Sequence, residues 1–199
     1  MPKVGMEPIR RRALIEAAIA EIHARGSLDV TVGHIAERAK VSSGLAHHYF
    51  GNKAQLLTAT MRHLLAELRT AVAARLRAAA TPRARLQAVI EGSFAPDQFQ
   101  PAVISAWLAF YAEAQSSEPV GRLLRLYGRR LHSNLMDALT PMVPRADAER
   151  IAEGTAALID GFWLRQALGH RASDRLHAVA MLENYVETQL AAADRGETR

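Results

Sequence analysis

Residues 31–57 read TVGHIAERAKVSSGLAHHYFGNKAQLL. The first nine predict a short helix with Thr31 as N-cap, a hydroxyl oxygen able to accept from a free first-turn amide, and with Val32, Ile35 and Ala36 turned inward. Ala39-Lys40-Val41 is too tight a passage for anything but a turn, and Ser42 then caps a second helix of about seven residues. Asn52 caps a third. Its apolar positions Leu56, Leu57, Met61, Leu64, Leu68, Val72 and Leu76 recur at helical spacing, so a helix from about 53 to 79 spans roughly 40 Å.

Upstream, a helix over about 8–25 carries Leu14, Ile15, Ala18, Ile19 and Ile22 on one stripe and stops at Gly26, which suits a left-handed cap. Its start is basic: Arg10, Arg11 and Arg12. A basic helix followed by two short helices across a tight turn is a helix-turn-helix, whose second helix enters the DNA major groove. Ser43 and Gly44 are small enough to let that helix approach a duplex end-on, where its free amides favour phosphate. His47, Tyr49 and Lys53 supply donors to the backbone on either side, and the three arginines are further candidates for phosphate.

Adjacent histidines invite other readings. Zinc needs ligands at useful spacing, but the eight histidines contain no pair four apart and no HExxH, and neighbours 47 and 48 point about 100° apart on a helix. No nucleophile elbow, phosphate loop or paired-carboxylate pattern accompanies them, so neither metal nor catalysis is expected.

Charge distribution agrees with a nucleic-acid head. Residues 1–65 hold nine Lys/Arg against five Asp/Glu, while the remainder holds sixteen against fifteen, so nearly all of the +5 surplus lies at the front. The absence of cysteine excludes disulfides and thiolate metal sites and suits a reducing compartment. Glu16 and Glu21 interrupt the only leader-like run, and no uncharged apolar stretch is long enough to span a bilayer, so a cytoplasmic protein without membrane partners is expected.

Strand alternation is almost missing, and the fold class expected is all-α, with about nine helices. Proline and glycine breaks separate five more segments, at about 82–95, 102–116, 119–140, 145–168 and 174–193, and the last six residues, DRGETR, should fray. The organisation expected is a three-helix DNA-binding head over 1–52 and a larger helical ligand-binding and dimerisation domain over 53–199.

The run 31–57 resembles the TetR family of bacterial repressors, in which a Thr-capped helix, an IAxxAxVS turn, a following glycine, an aromatic run ending in Phe and a lysine recur together. Within that family, MPKVGMEPIRRRALIEAAI, WLAFYAEA and LIDGFWLRQAL resemble the choline-responsive repressors of glycine betaine synthesis. The resemblance implies that Thr31, Ser42, His47, Tyr49 and Lys53 touch phosphates. It sets Ser43, Gly44, Leu45 and His48 at or beside the bases, and Ile35, Val41 and Phe50 in internal packing. Two positions depart from the family pattern, His47 where tyrosine is frequent and Ala46 where a larger aliphatic is usual.

A repressor of this kind is a homodimer, because two heads must reach successive major grooves about 34 Å apart on a pseudo-palindromic operator. The dimer surface is expected on the last two long helices, through Leu158, Phe162, Val179, Leu182, Tyr185 and Val186, in a four-helix arrangement; packing of both stripes inside one subunit is the alternative. Trp107, Phe110 and Tyr111 fall within about one turn, and Phe162 and Trp163 follow Asp160. Aromatic faces beside an acid suit a quaternary ammonium ion, which cannot donate strong hydrogen bonds. The acids in order of interest are Asp160, Glu113 and Glu91. Aromatics at helical spacing equally suit ordinary core. The resemblance implies choline as effector and no cofactor. Competing readings keep the head but sense another hydrophobic cation, as a regulator of an efflux pump would, or make the chain a small all-α enzyme acting on choline, for which no flavin or nicotinamide motif is present.

Overall fold

The computed structural model describes residues 5–169 and 175–196. Among them every regular element is a helix, in the order α1 (Met6–Arg25), α2 (Val32–Arg38), α3 (Ser43–Phe50), α4 (Lys53–Ala78), α5 (Pro82–Ser93), α6 (Pro101–Glu113), α7 (Glu118–Leu139), α8 (Arg145–Ala167) and α9 (Arg175–Asp194). The all-α expectation of about nine helices is met. Most of the break expected at 169–173 and the end of the tail expected to fray lie outside the described residues, while Asp194 of that tail still belongs to α9.

The chain forms two compact units, Met1–Ala66 with Pro101–Leu124, and Glu67–Gln100 with Arg125–Arg199. This is a division by packing, drawn differently from the functional boundary at 52/53, and it sets α6 with α1, α2 and α3. In the first unit α1 packs along α6 and against α2 and α3. Leu14, Ala18 and Ile22 are fully buried on one stripe of α1, while Ile15 and Ile19 of the same expected stripe are half-buried. Gly26 ends the helix at φ 65°, a conformation that costs a side-chain-bearing residue more than it costs glycine.

In the second unit α9 packs on α8 and α5. Two glycines set the closeness. A Cβ on Gly92 would stand 2.8 Å from the Val72 Cα, so α5 crosses the later turns of α4 at that point with no room for a methyl group. A Cβ on Gly154 would stand 1.9 Å from the Tyr185 hydroxyl, so that ring lies directly over the α8 backbone. Arg85 ties α5 to Asp137 of α7 at 2.5 Å, and Arg83 pairs with Glu187 of α9.

Candidate nucleic-acid interface

The reading motif is closed by local hydrogen bonds that its sequence foretells. Thr31 is extended (φ −104°, ψ 152°) and its hydroxyl oxygen accepts from the His34 amide at 3.1 Å. Ser42 accepts from the Leu45 amide at 3.2 Å, and Asn52 accepts through Oδ1 from the Gln55 amide at 2.9 Å. The turn between α2 and α3 is a Schellman closure: the Lys40 amide donates to the Glu37 carbonyl and the Val41 amide to the Ala36 carbonyl, both at 3.0 Å. Lys40 occupies the left-handed position at φ 55°, where glycine would be the unstrained choice.

Ile35, Ala36, Ala46 and Phe50 are buried beneath this motif, and Val41 is half-buried. Above them Thr31, Ser42, Ser43, Gly44, His47 and His48 are exposed, with Leu45, Tyr49 and Lys53 half-buried at the margin. Open space surrounds Gly44. Ala46, where a larger aliphatic is usual in the family, is itself a buried residue of α3. His47 Nδ1 lies 2.9 Å from the Gly51 carbonyl, so this ring also closes the end of α3.

The three arginines at the start of α1 do not act alike. Arg12 is exposed and pairs with Glu16 at 2.7 Å. Arg10 is half-buried. Arg11 turns back onto α3: its Nη2 donates to the Tyr49 carbonyl at 2.6 Å, its guanidinium carbon lies 4.9 Å from the Phe50 ring centre, and Nε meets Glu7 at 2.9 Å. A second clasp joins α1 to α2. Glu21 is buried, accepts from Arg38 Nε at 2.5 Å and lies 3.5 Å from Arg25. The Arg38 hydrogen bond is the main reason its carboxyl is held below the ordinary value of 4.5, against the opposing pull of burial. Arg25 reaches on to His34 Nδ1 at 2.8 Å. From sequence, Glu21 reads only as a charge interrupting an apolar run; its place on the inward stripe with Arg25 one turn later is the signal that reveals the clasp.

The effector candidates fall into separate groups. In the first unit Trp107 and Phe110 are buried in α6, Tyr111 is half-buried with its ring 6.1 Å from that of Trp107, and Glu113 ends the helix. In the second unit Asp160 accepts from the Tyr127 hydroxyl at 3.0 Å. Phe162 meets Phe94 edge-on at 6.2 Å, Phe94 meets Phe99 at 5.6 Å, and Trp163 is buried. Glu91 accepts from Gln87 at 3.0 Å and lies 3.9 Å from Arg75, so its charge is balanced locally. Tyr127, Phe94 and Phe99 carry no sequence signal of their own and emerge only from the fold.

Of the residues expected at a dimer surface, Val179, Leu182 and Val186 are buried by the chain itself, Tyr185 covers Gly154, and Leu158 and Phe162 are half-buried. The large apolar side chains left exposed on these two helices and at the cap of α8 are Leu164, Leu168, Leu176 and Met181. Among the described residues no group of three His, Cys, Asp or Glu could hold a metal ion, and no helix is long and apolar enough to cross a membrane.

Two family models match parts of the chain. Residues 14–60 match the model described as bacterial regulatory proteins, tetR family, and residues 82–191 match that of the BetI-type transcriptional repressor, C-terminal. The HTH-type transcriptional regulator BetI of Brucella melitensis biotype 2 is 53% identical over 197 residues, covering 99% of this chain and all of that one. Among solved structures, a transcriptional regulator from Pseudomonas aeruginosa PAO1 superposes with a TM-score of 0.73 at 29% identity, covering 94% of each chain. A regulator from Saccharomonospora viridis, solved in complex with choline, superposes with a TM-score of 0.76 at 23% identity over 89% of this chain and 95% of that one. These relatives regulate transcription and are not enzymes, and with a matching repressor domain over more than half its length this chain belongs to the TetR family, in its BetI-type branch.

Proposed function

We propose that the chain is a homodimeric repressor that binds a pseudo-palindromic operator through α3 and releases its grip when choline binds, controlling genes that convert choline to glycine betaine. The observation that carries the DNA half is the exposed row Thr31, Ser42, Ser43, Gly44, His47 and His48 above a buried base of Ile35, Ala46 and Phe50. Each hydroxyl that caps a helix with its oxygen keeps a proton to donate to phosphate. Two copies, joined through the apolar side chains left exposed on α8 and α9, would present two reading helices about 34 Å apart.

Choline is favoured as effector by the Asp160 carboxylate beside Tyr127 and by the Phe162 ring surface on α8. Ring faces stabilise an N-methylated cation by about 0.5–2 kcal/mol each, and a nearby carboxylate balances its charge. The choline held by the Saccharomonospora relative and the name BetI shared by the Brucella relative point to the same ligand. The effect needed is modest, since a coupling of about 1–3 kcal/mol, or 5–150-fold, suffices for induction if choline prefers a form whose reading helices no longer match the groove spacing.

The test is titration of a labelled fragment from upstream of the chain's own gene, at stated salt, with and without choline. Specific binding weakened by choline supports the reading. Binding that ignores choline but yields to a bulky cationic dye replaces it with an efflux-pump regulator, and absence of binding in dilute buffer removes the DNA half as well.

A further inference from the structure

Gln98 follows α5 in a turn, where its amide donates to the Ala95 carbonyl at 2.9 Å, and it is only 2% exposed. Its Nε2 donates to the Asp97 carboxylate at 3.2 Å, while its Oε1 is buried with no hydrogen-bond partner among the described residues. Asp97 fixes which way the amide points. Turned over, it would set a carbonyl oxygen against a carboxylate, two acceptors facing each other. Native proteins leave few buried acceptors empty, because the group loses water and gains nothing in exchange. Oε1 is therefore a preformed place for a donor.

Groups that follow from Gln98 along the chain narrow what that donor belongs to. Phe99 adjoins Gln98 in the chain and meets Phe94, which meets Phe162. Phe94 is fully buried and holds the other two, which are half-buried and keep part of their surfaces open. Phenyl rings offer faces to an alkylammonium group and no hydrogen bond to anything else. A ligand that suits both features is an N-methylated cation carrying one hydroxyl.

We propose that Gln98 is the specificity-determining acceptor that selects a quaternary ammonium alcohol, taking its hydroxyl proton at Oε1, over cations that lack a donor or end in a carboxylate. A terminal carboxylate would bring negative oxygens against Oε1 with the Asp97 charge beyond it. Oxidation of the alcohol to the acid thus turns a ligand into a non-ligand at this acceptor. This assignment rests on the choline reading above.

Calorimetry of the full chain with choline, tetramethylammonium and glycine betaine tests it, in the unaltered protein, in Gln98→Met and in Asp97→Ala. The unaltered protein should bind choline at least about tenfold tighter than the other two. Gln98→Met should weaken choline about tenfold and leave tetramethylammonium within about twofold. Asp97 is exposed, so Asp97→Ala frees the amide without opening the core, and it should narrow the same ratio even if Gln98→Met fails to fold. An unchanged ratio in the folded variants, or equal loss of both cations, overturns the assignment while the choline reading stands. Failure of the unaltered protein to bind any of the three overturns both.

Discussion

The Arg11 guanidinium donates to the Tyr49 carbonyl at 2.6 Å, so a side chain of α1 closes the C-terminal end of the reading helix α3. The last carbonyls of a helix have no partner within it and carry partial negative charge, which a guanidinium satisfies in both respects. Arg11 therefore sets the angle at which α3 is presented. Arg11→Met keeps the apolar stem and removes the charge; it should cost about 1–2 kcal/mol of stability and weaken operator binding without altering its salt dependence. Lys53→Ala, at a proposed phosphate contact, should lower the slope of log affinity against log salt by about one unit. Fluorescence anisotropy over a range of salt separates them, and an equal fall of slope in Arg11→Met would show that Arg11 contacts phosphate instead.

Lys40 holds a left-handed conformation at the centre of the turn, which costs about 1–2 kcal/mol for a residue with a side chain. Lys40→Gly removes that strain and retains both Schellman hydrogen bonds. The expected gain is about 1 kcal/mol, read as a higher denaturant midpoint with an unchanged slope. A loss of stability would mean that the lysine side chain contributes more than its backbone costs.

Glu21 makes the head sensitive to acid. Its carboxyl is held below the ordinary 4.5 chiefly by the Arg38 hydrogen bond, so the proton is bound more weakly in the folded chain than in the unfolded one. The stabilising contribution is complete above the unfolded value and disappears as pH falls through the lower folded value. Glu21→Gln should cost about 1 kcal/mol at pH 7, discounted for the half-exposed Arg38, and the gap from the unaltered chain should close between about pH 4.5 and strong acid. Urea melts at neutral and acid pH check the convergence; a gap independent of pH would assign the effect to packing.

Local chemistry was legible and long-range chemistry was not. Thr31, Ser42 and Asn52 cap the helices expected of them because a cap involves residues three apart, and Gly26 ends α1 for an equally local reason. The end of α5 comes two residues before the expected 95, since Phe94 leaves the helical region at φ −113°, with its ring against Phe99 and Phe162. Arg11 with Tyr49, Glu21 with Arg38, and Tyr127 with Asp160 are 38, 17 and 33 residues apart, and no periodicity links such partners. The aromatic clusters were found as sequence neighbours, whereas Phe94 and Gln98 required the fold to show what lies beside Phe162 and which acceptor is empty.

Apolar periodicity also cannot say which chain covers a stripe, and α9 is the clearest instance. Leu182 is fully buried within its own subunit, while Leu176 on the same helix is 61% exposed. Placing a charge at each tests which of them faces a second copy. Leu182→Glu buries an unpaired carboxylate and should collapse the thermal transition by several kcal/mol, at any protein concentration. Leu176→Glu, already in water in the single chain, should keep the unfolding behaviour of the subunit but shift sedimentation toward the monomer and weaken operator binding, because two half-sites are then bound one at a time. If Leu176→Glu remains dimeric at micromolar concentration, the subunits meet elsewhere, and the exposed side chains Leu164, Leu168 and Met181 are the next to be charged.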